Sequence, residues 1–129
     1  MVVLDTSIII DHLRQPPEKS KLIKMFKISS EDCGLSLVSV QELYEGESTK
    51  KDEEERYLLS TLTQIEILPY TYDVAKLAGQ IARDLGRPID LADAAIAATA
   101  ILNGAQLFTL NKKDFQGIKN LEFLVKEVF

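Results

Sequence analysis

Four acidic side chains stand where apolar runs break off, and they are the residues of this chain best suited to chemistry. Asp5 ends VVLD, Glu42 lies in SLVSVQELYEG, Asp93 in PIDLADAAIAATA and Asp114 in LFTLNKKDF. A carboxylate beside so much apolar sequence is costly, because desolvation disfavours its charge and neighbouring like charges repel. A bound cation offsets that cost. Clustered carboxylates are hard oxygen donors, suited to Mg²⁺ or Mn²⁺ rather than to softer metals. The condition is that the fold brings them together.

Each acid also has an ordinary local role. Ser39-x-x-Glu42 has the form of a capping box, in which the glutamate reaches back to the cap residue's N–H. Asp90 and Asp93 could be an N-cap and a first-turn acid favoured by the helix dipole. Asn111 could cap a short turn that contains Asp114, and Asp5 could cap the first helix. Asp93 argues against a purely local account. It shares a helical face with Ile96, Ala97 and Ala100, small residues that let a helix pack closely and hold the carboxylate in place. Taken jointly, the acids favour a metal site.

Other chemistries are excluded by what the chain lacks. Cys33 is the only cysteine and His12 the only histidine, so one chain forms no internal disulfide and no structural zinc site. A Cys-His or Ser-His-Asp site would have to use His12, which the IIIDHLR context places on the surface of the first helix.

The elements that must position the acids follow from the hydrophobic pattern. Residues 2–4 read as a strand buried on both faces, and residues 6–14 as a helix stopped by Pro16-Pro17. A second helix carries Leu22, Ile23, Met25 and Phe26. A second strand over 34–37 leads to a helix from about 40 to 47. The stretch 52–63 predicts a helix with Tyr57, Leu58, Leu59 and Leu62 inward, then a third strand over 65–68. Residues 73–85 give the clearest amphipathic helix, stopped by Gly86, and 91–102 an alanine-rich one stopped by Gly104. A fourth strand follows over 105–110 and a fifth over 121–125.

Alternating strands and helices with short connections argue for an α/β fold with a mostly parallel sheet of four or five strands, in one domain over residues 1–129. In such sheets ligands bind outside the carboxyl ends of the strands, near the switch in strand order. Asp5, Asn111 and Asp114 fall at such ends, and Glu42 in the first turn of the helix after the second strand. Asp93 opens a helix instead of following a strand.

The ordered set VVLDTSIIID, SLVSVQELYEG and RPIDLADAAIAATAILNGAQLFTLNKKDF resembles the PIN domain, and most closely the VapC-type toxins of toxin–antitoxin modules. The resemblance runs through nearly the whole chain and is most specific from Arg87 to Phe115. It implies a three-layer α/β/α fold and a Mg²⁺- or Mn²⁺-dependent RNA endonuclease. Asp5, Glu42 and Asp93 would be the core metal-binding carboxylates. The fourth acidic position of the family falls at Asn111 or Asp114, and here only Asp114 is acidic. Thr6 and Thr109 match hydroxyl positions near the pocket, with Asn111 supporting and Asp90 a weaker candidate. The resemblance also implies a homodimer and an inhibitory VapB-like antitoxin. An attacking water would leave 5′-phosphate and 3′-hydroxyl ends.

Charge and partners fit together only in part. The net charge of −5 has the wrong sign for a general nucleic-acid binder. Arg14, Lys19, Lys21, Lys24 and Lys27 form a local basic cluster, readable as a solvated helix face or as an RNA or partner contact. No apolar stretch approaches the roughly 20 residues that span a bilayer, and no basic leader precedes the first strand, so a cytoplasmic protein is expected. Rival folds lack their marks: a receiver-like regulator needs a later-strand lysine, and a haloacid-dehalogenase-like phosphatase a second aspartate where Ser7 stands. Two further alternatives share the PIN fold, an RNA-processing nuclease without an antitoxin and a largely non-catalytic binding module.

Overall fold

A computed structural model describes residues 1–125. In chain order the elements are β1 (Val2–Leu4), α1 (Thr6–Arg14), α2 (Lys21–Ile28), β2 (Cys33–Ser36), α3 (Leu37–Glu45), α4 (Asp52–Leu62), β3 (Glu66–Leu68), α5 (Tyr72–Asp84), α6 (Leu91–Leu102) and β4 (Gln106–Phe108). Single 3₁₀ turns cover Pro17–Lys19, Glu47–Lys50 and Lys112–Phe115.

The four strands form one parallel sheet in the order β3-β2-β1-β4. β1 is central, paired with β2 through Val2↔Cys33 and Leu4↔Leu35, and with β4 through Val2↔Gln106 and Leu4↔Phe108. That position explains its unbroken apolar run, since both faces are covered. Val2 and Leu4 point into one core with Ile8, Ile9, Leu22, Met25 and Leu58, and Val3 into the other with Ile96, Ala97, Leu107 and Phe115. Helices α1, α2 and α4 therefore cover one face and α6 the other, giving the three-layer arrangement. Behind α6, Val74 and Ala78 of α5 pack on Ala94 and Ala98. Burial on every side makes the whole run Ala94–Ala100 solvent-excluded.

Local sequence sets the boundaries. Ser20 Oγ accepts the Ile23 N–H at 3.2 Å, and Asp11 Oδ2 accepts the Lys21 N–H at 3.0 Å, so α2 starts doubly capped. At Gly34 a Cβ would lie 2.6 Å from Leu68 Cδ1, so a side chain there would force the Leu68 side chain to shift.

Several expectations are corrected. The helix after β2 begins at Leu37, capped by Ser36 Oγ accepting the Val38 N–H at 3.2 Å, so Ser39 is not its cap. His12 is buried, 7% exposed, with Nδ1 2.8 Å from Ser20 Oγ, because α2 folds back over its face of α1. Of the four α4 residues expected inward only Leu58 is fully buried, joined by Thr61, while Tyr57 and Leu59 are exposed. The stretch 121–125 makes no full strand among the described residues. It joins β4 by one bridge, Leu107↔Phe123, closed by Leu107 N–H to Glu122 O and Leu124 N–H to Leu107 O, both 2.8 Å.

Candidate active site

β2 and β3 lie on one side of β1 and β4 on the other, so the chain reverses its direction of travel across the sheet between β1 and β4. Crevices form at the carboxyl ends of strands at such a reversal. Asp5 leaves β1 there, and Thr109 leaves β4 beside it, with the Asp5 N–H donating to Phe108 O at 2.9 Å. The helix α6 precedes β4 and must run back across the sheet to reach it. Its first turn therefore starts at the same rim, which places Asp93 with the strand-end acids although no strand leads into it.

Asp5 is 5% exposed, and its surroundings are asymmetric. Thr109 Oγ1 donates to Oδ2 at 2.7 Å and Ser7 Oγ donates to the same oxygen at 2.8 Å. Each hydroxyl is itself held, Thr109 Oγ1 accepting the Asn111 N–H at 2.9 Å and Ser7 Oγ the Leu110 N–H at 3.2 Å. Backbone groups of the loop after β4 thus aim two protons at Oδ2, and among the described residues no hydrogen bond reaches Oδ1.

Glu42 lies in the second turn of α3, one helical turn beyond the buried Ser39. Thr6 Oγ1 is 2.7 Å from Glu42 Oε1 and 2.8 Å from Ser39 Oγ. A hydroxyl has one proton, and donation to the ionised carboxylate is the stronger bond. Burial raises the Glu42 pKa, the Thr6 hydrogen bond opposes it, and Asp5, Glu45 and Asp90 raise it further.

Asp93 is pushed up to about 7, first by burial and then by the charges of Asp5, Asp114, Asp90 and Glu42. Asp5, Glu42, Asp114 and Asp90 therefore all lie within electrostatic reach of Asp93. Most of the capping roles fail here. Asp5, Asp90 and Asn111 occupy N-cap positions but none makes a side-chain capping bond, and Glu42 is too deep in α3 to form a capping box. Asp93 does sit in a first turn, where the helix dipole favours an acid.

The donor set fits a hard divalent cation. The acids lie within electrostatic reach of Asp93, their repulsion raises its pKa, and among the described residues no Lys, Arg or His forms an ion pair with any of them. The fit is to a hydrated ion, not to a closed protein cage. Among the described residues no three such side chains stand together at ligand distance. Mg²⁺ commonly keeps several waters and takes only one or two carboxylates directly.

The basic cluster divides. Arg14 joins Glu42, Leu13, Thr49, Tyr57 and Leu58 in lining a cleft of about 520 Å³ between α1, α3 and α4. Lys19, Lys21, Lys24 and Lys27 do not line it, and Lys27 borders a separate cavity of about 420 Å³ beside His12. Among the apolar residues of α2 and α4, Leu22, Met25 and Leu58 are core residues. Ser7 and Ser39 are the site residues that sequence reasoning missed. Ser7 was legible as a hydroxyl two residues beyond Asp5. Ser39 was seen, but its resemblance to a cap concealed it.

The PIN domain family matches residues 2–121. The ribonuclease VapC19 of Mycobacterium tuberculosis is 31% identical over 125 residues, covering 95% of this chain and 98% of that protein. Among solved structures, VapBC2 of Rickettsia felis, bound to a DNA fragment from its promoter, superposes with TM-score 0.77 at 26% identity, covering 96% of this chain and 98% of the other. A toxin–antitoxin complex from Klebsiella pneumoniae gives TM-score 0.76 at 27% identity, with 94% and 95% covered.

Proposed function

Because this chain belongs to the PIN-domain family, we propose that it is a Mg²⁺- or Mn²⁺-dependent endoribonuclease, acting as the toxin of a toxin–antitoxin module under a VapB-like antitoxin. The observation that carries the reading is the carboxylate cluster at the β1/β4 reversal, whose members are not used for capping except where Asp93 meets the α6 dipole. The whole chain acts as one such domain, and two copies pair as a homodimer.

In this mechanism Asp5, Glu42 and Asp93 hold the metal, with Asp114 as the fourth acid. The chemistry that Mg²⁺ or Mn²⁺ supplies at such a site is Lewis-acid neutralisation at the scissile phosphate and easier deprotonation of water. The chain's own part is positional. Ser7 and Thr109 fix one oxygen of Asp5 and, among the described residues, leave the other without a hydrogen bond; Thr6 orients Glu42. Arg14, at the cleft that Glu42 lines, binds a phosphate of the flanking RNA.

The test is cleavage of a labelled RNA by the purified protein with Mg²⁺ or Mn²⁺. Asp5→Asn and Asp93→Asn should each remove activity while circular dichroism stays that of the wild type. Cleavage that persists in excess EDTA, or equally in both variants, sinks the assignment. Co-purification with the product of an adjacent reading frame tests the antitoxin; without such a partner, a free-standing processing nuclease is the better reading.

A further inference from the structure

We infer that Arg87 is a positioning residue that sets the backbone carrying Asp114 against the start of α6. Arg87 lies in the connection between α5 and α6, three residues before Asp90. Its Nη2 donates to Gln116 O at 2.7 Å and to Asp114 O at 3.2 Å, and its Nη1 to Pro88 O at 3.3 Å. One planar guanidinium therefore spans two segments that are separate in sequence and each carry an acid of the cluster.

The acceptors are those the turn leaves over. In the 3₁₀ turn and its exit, Lys113 O accepts the Gln116 N–H and Phe115 O the Ile118 N–H, both at 3.4 Å. Asp114 O and Gln116 O alternate with them and receive Arg87 instead. A cation at the carbonyl end of a short helical turn is placed where partial negative charge accumulates. Among the described residues Arg87 makes no ion pair with a carboxylate, so its charge is spent on this contact.

The turn has an anchor besides Arg87. Phe115 is 1% exposed and Ile118 8%, both packed in the core with Ile96 and Ala97. Asp114 itself is exposed, and among the described residues no hydrogen bond reaches its carboxylate. Only its backbone is fixed: Phe115 packs it on α6, and Arg87 adds hydrogen bonds to it from the connection that leads into Asp90. Lysine would substitute poorly, because a flexible ammonium carries the charge without the rigid planar group that bonds Asp114 O and Gln116 O through Nη2 while Nη1 holds Pro88 O.

This inference rests on the metal reading above, and its test separates the two. Mn²⁺ alone is titrated into wild type, Arg87→Met, Arg87→Lys, Asp114→Asn and the Met/Asn double variant, with binding followed by electron paramagnetic resonance of free Mn²⁺. Loss of such a supporting contact should weaken Mn²⁺ binding about tenfold in Arg87→Met, within the range seen when groups behind metal ligands are removed. Thermal unfolding should stay near that of the wild type, lysine should not restore binding, and Arg87→Met should add nothing once Asp114 is Asn. If the Met variant does not fold, Arg87→Lys supplies the same comparison. Wild-type affinity in the Arg87 variants, or a full additional loss in the Asp114→Asn background, overturns the inference alone. Absence of Mn²⁺ binding by the wild type removes the metal reading and the inference with it.

Discussion

Asp5 Oδ2 receives two hydroxyl protons, and the consequences of losing either differ from those of losing the carboxylate. Thr109→Val keeps the shape but withdraws one proton and leaves the Asn111 N–H without its acceptor. Cleavage should fall about tenfold or more, with Thr109→Ser restoring most of it; equal rates for Val and wild type would remove Thr109 from the site. Asp93 gives a pH prediction. Its folded pKa of about 7 lies above the ordinary 3.8, so the folded state binds the extra proton in this window. The metal-free protein should therefore lose stability as pH rises from about 4 through 7. Asp93→Asn should melt higher than wild type at pH 8 and close to it at pH 4, and Mn²⁺ should raise the melting temperature of the wild type alone. A higher wild-type midpoint at pH 8 without metal would contradict this. The acids were legible in sequence because they interrupt apolar runs, whereas the hydroxyls were only partly so. Thr6 and Thr109 came from resemblance, and nothing local marks Ser39 as a partner of a residue 33 positions earlier.

Helix α6 shows what an element can reveal before folding and what it withholds. Its extent, Leu91–Leu102, was readable from the alanine-rich run and Gly104, and so was the need for close packing. What periodicity could not supply was its direction relative to the sheet, which alone brings Asp93 to the rim. The same limit applies to α3. A serine three residues before a glutamate suggests a helix start, yet Ser36 caps four residues earlier than the expected first helical position and moves Glu42 into the second turn. Packing around α6 leaves little room for added volume. Ala97 is 0% exposed between the sheet and its neighbours, so Ala97→Leu should cost about 1–3 kcal/mol, read as a lowered urea midpoint. An unchanged midpoint would mean that α6 can shift outward, and the site should then lose activity through Asp93.

At the scale of the molecule, the proposed RNA binding requires an acidic chain to concentrate its few useful cations. The net charge of −5 opposes a polyanion, and of the basic cluster only Arg14 reaches the cleft that Glu42 lines. Arg14→Glu should weaken RNA binding and lower the dependence of log affinity on log salt by about one, while Lys27→Glu should change neither. Equal effects would make the cluster a diffuse attraction. The architecture was legible as a whole, since strand and helix order alone dictates a parallel sheet. The fifth strand was not, because the sequence cannot tell one bridge at Phe123 from a ladder. The distance in sequence between Asp5 and the Thr109 hydroxyl that holds it, 104 positions, bears on how such an enzyme is made. A ribosome has to release nearly the entire polypeptide before the first aspartate acquires its partner, so a nascent chain carries no finished blade while its own messenger is still being read. Fragments cut short before β4 should be harmless to the cell that makes them.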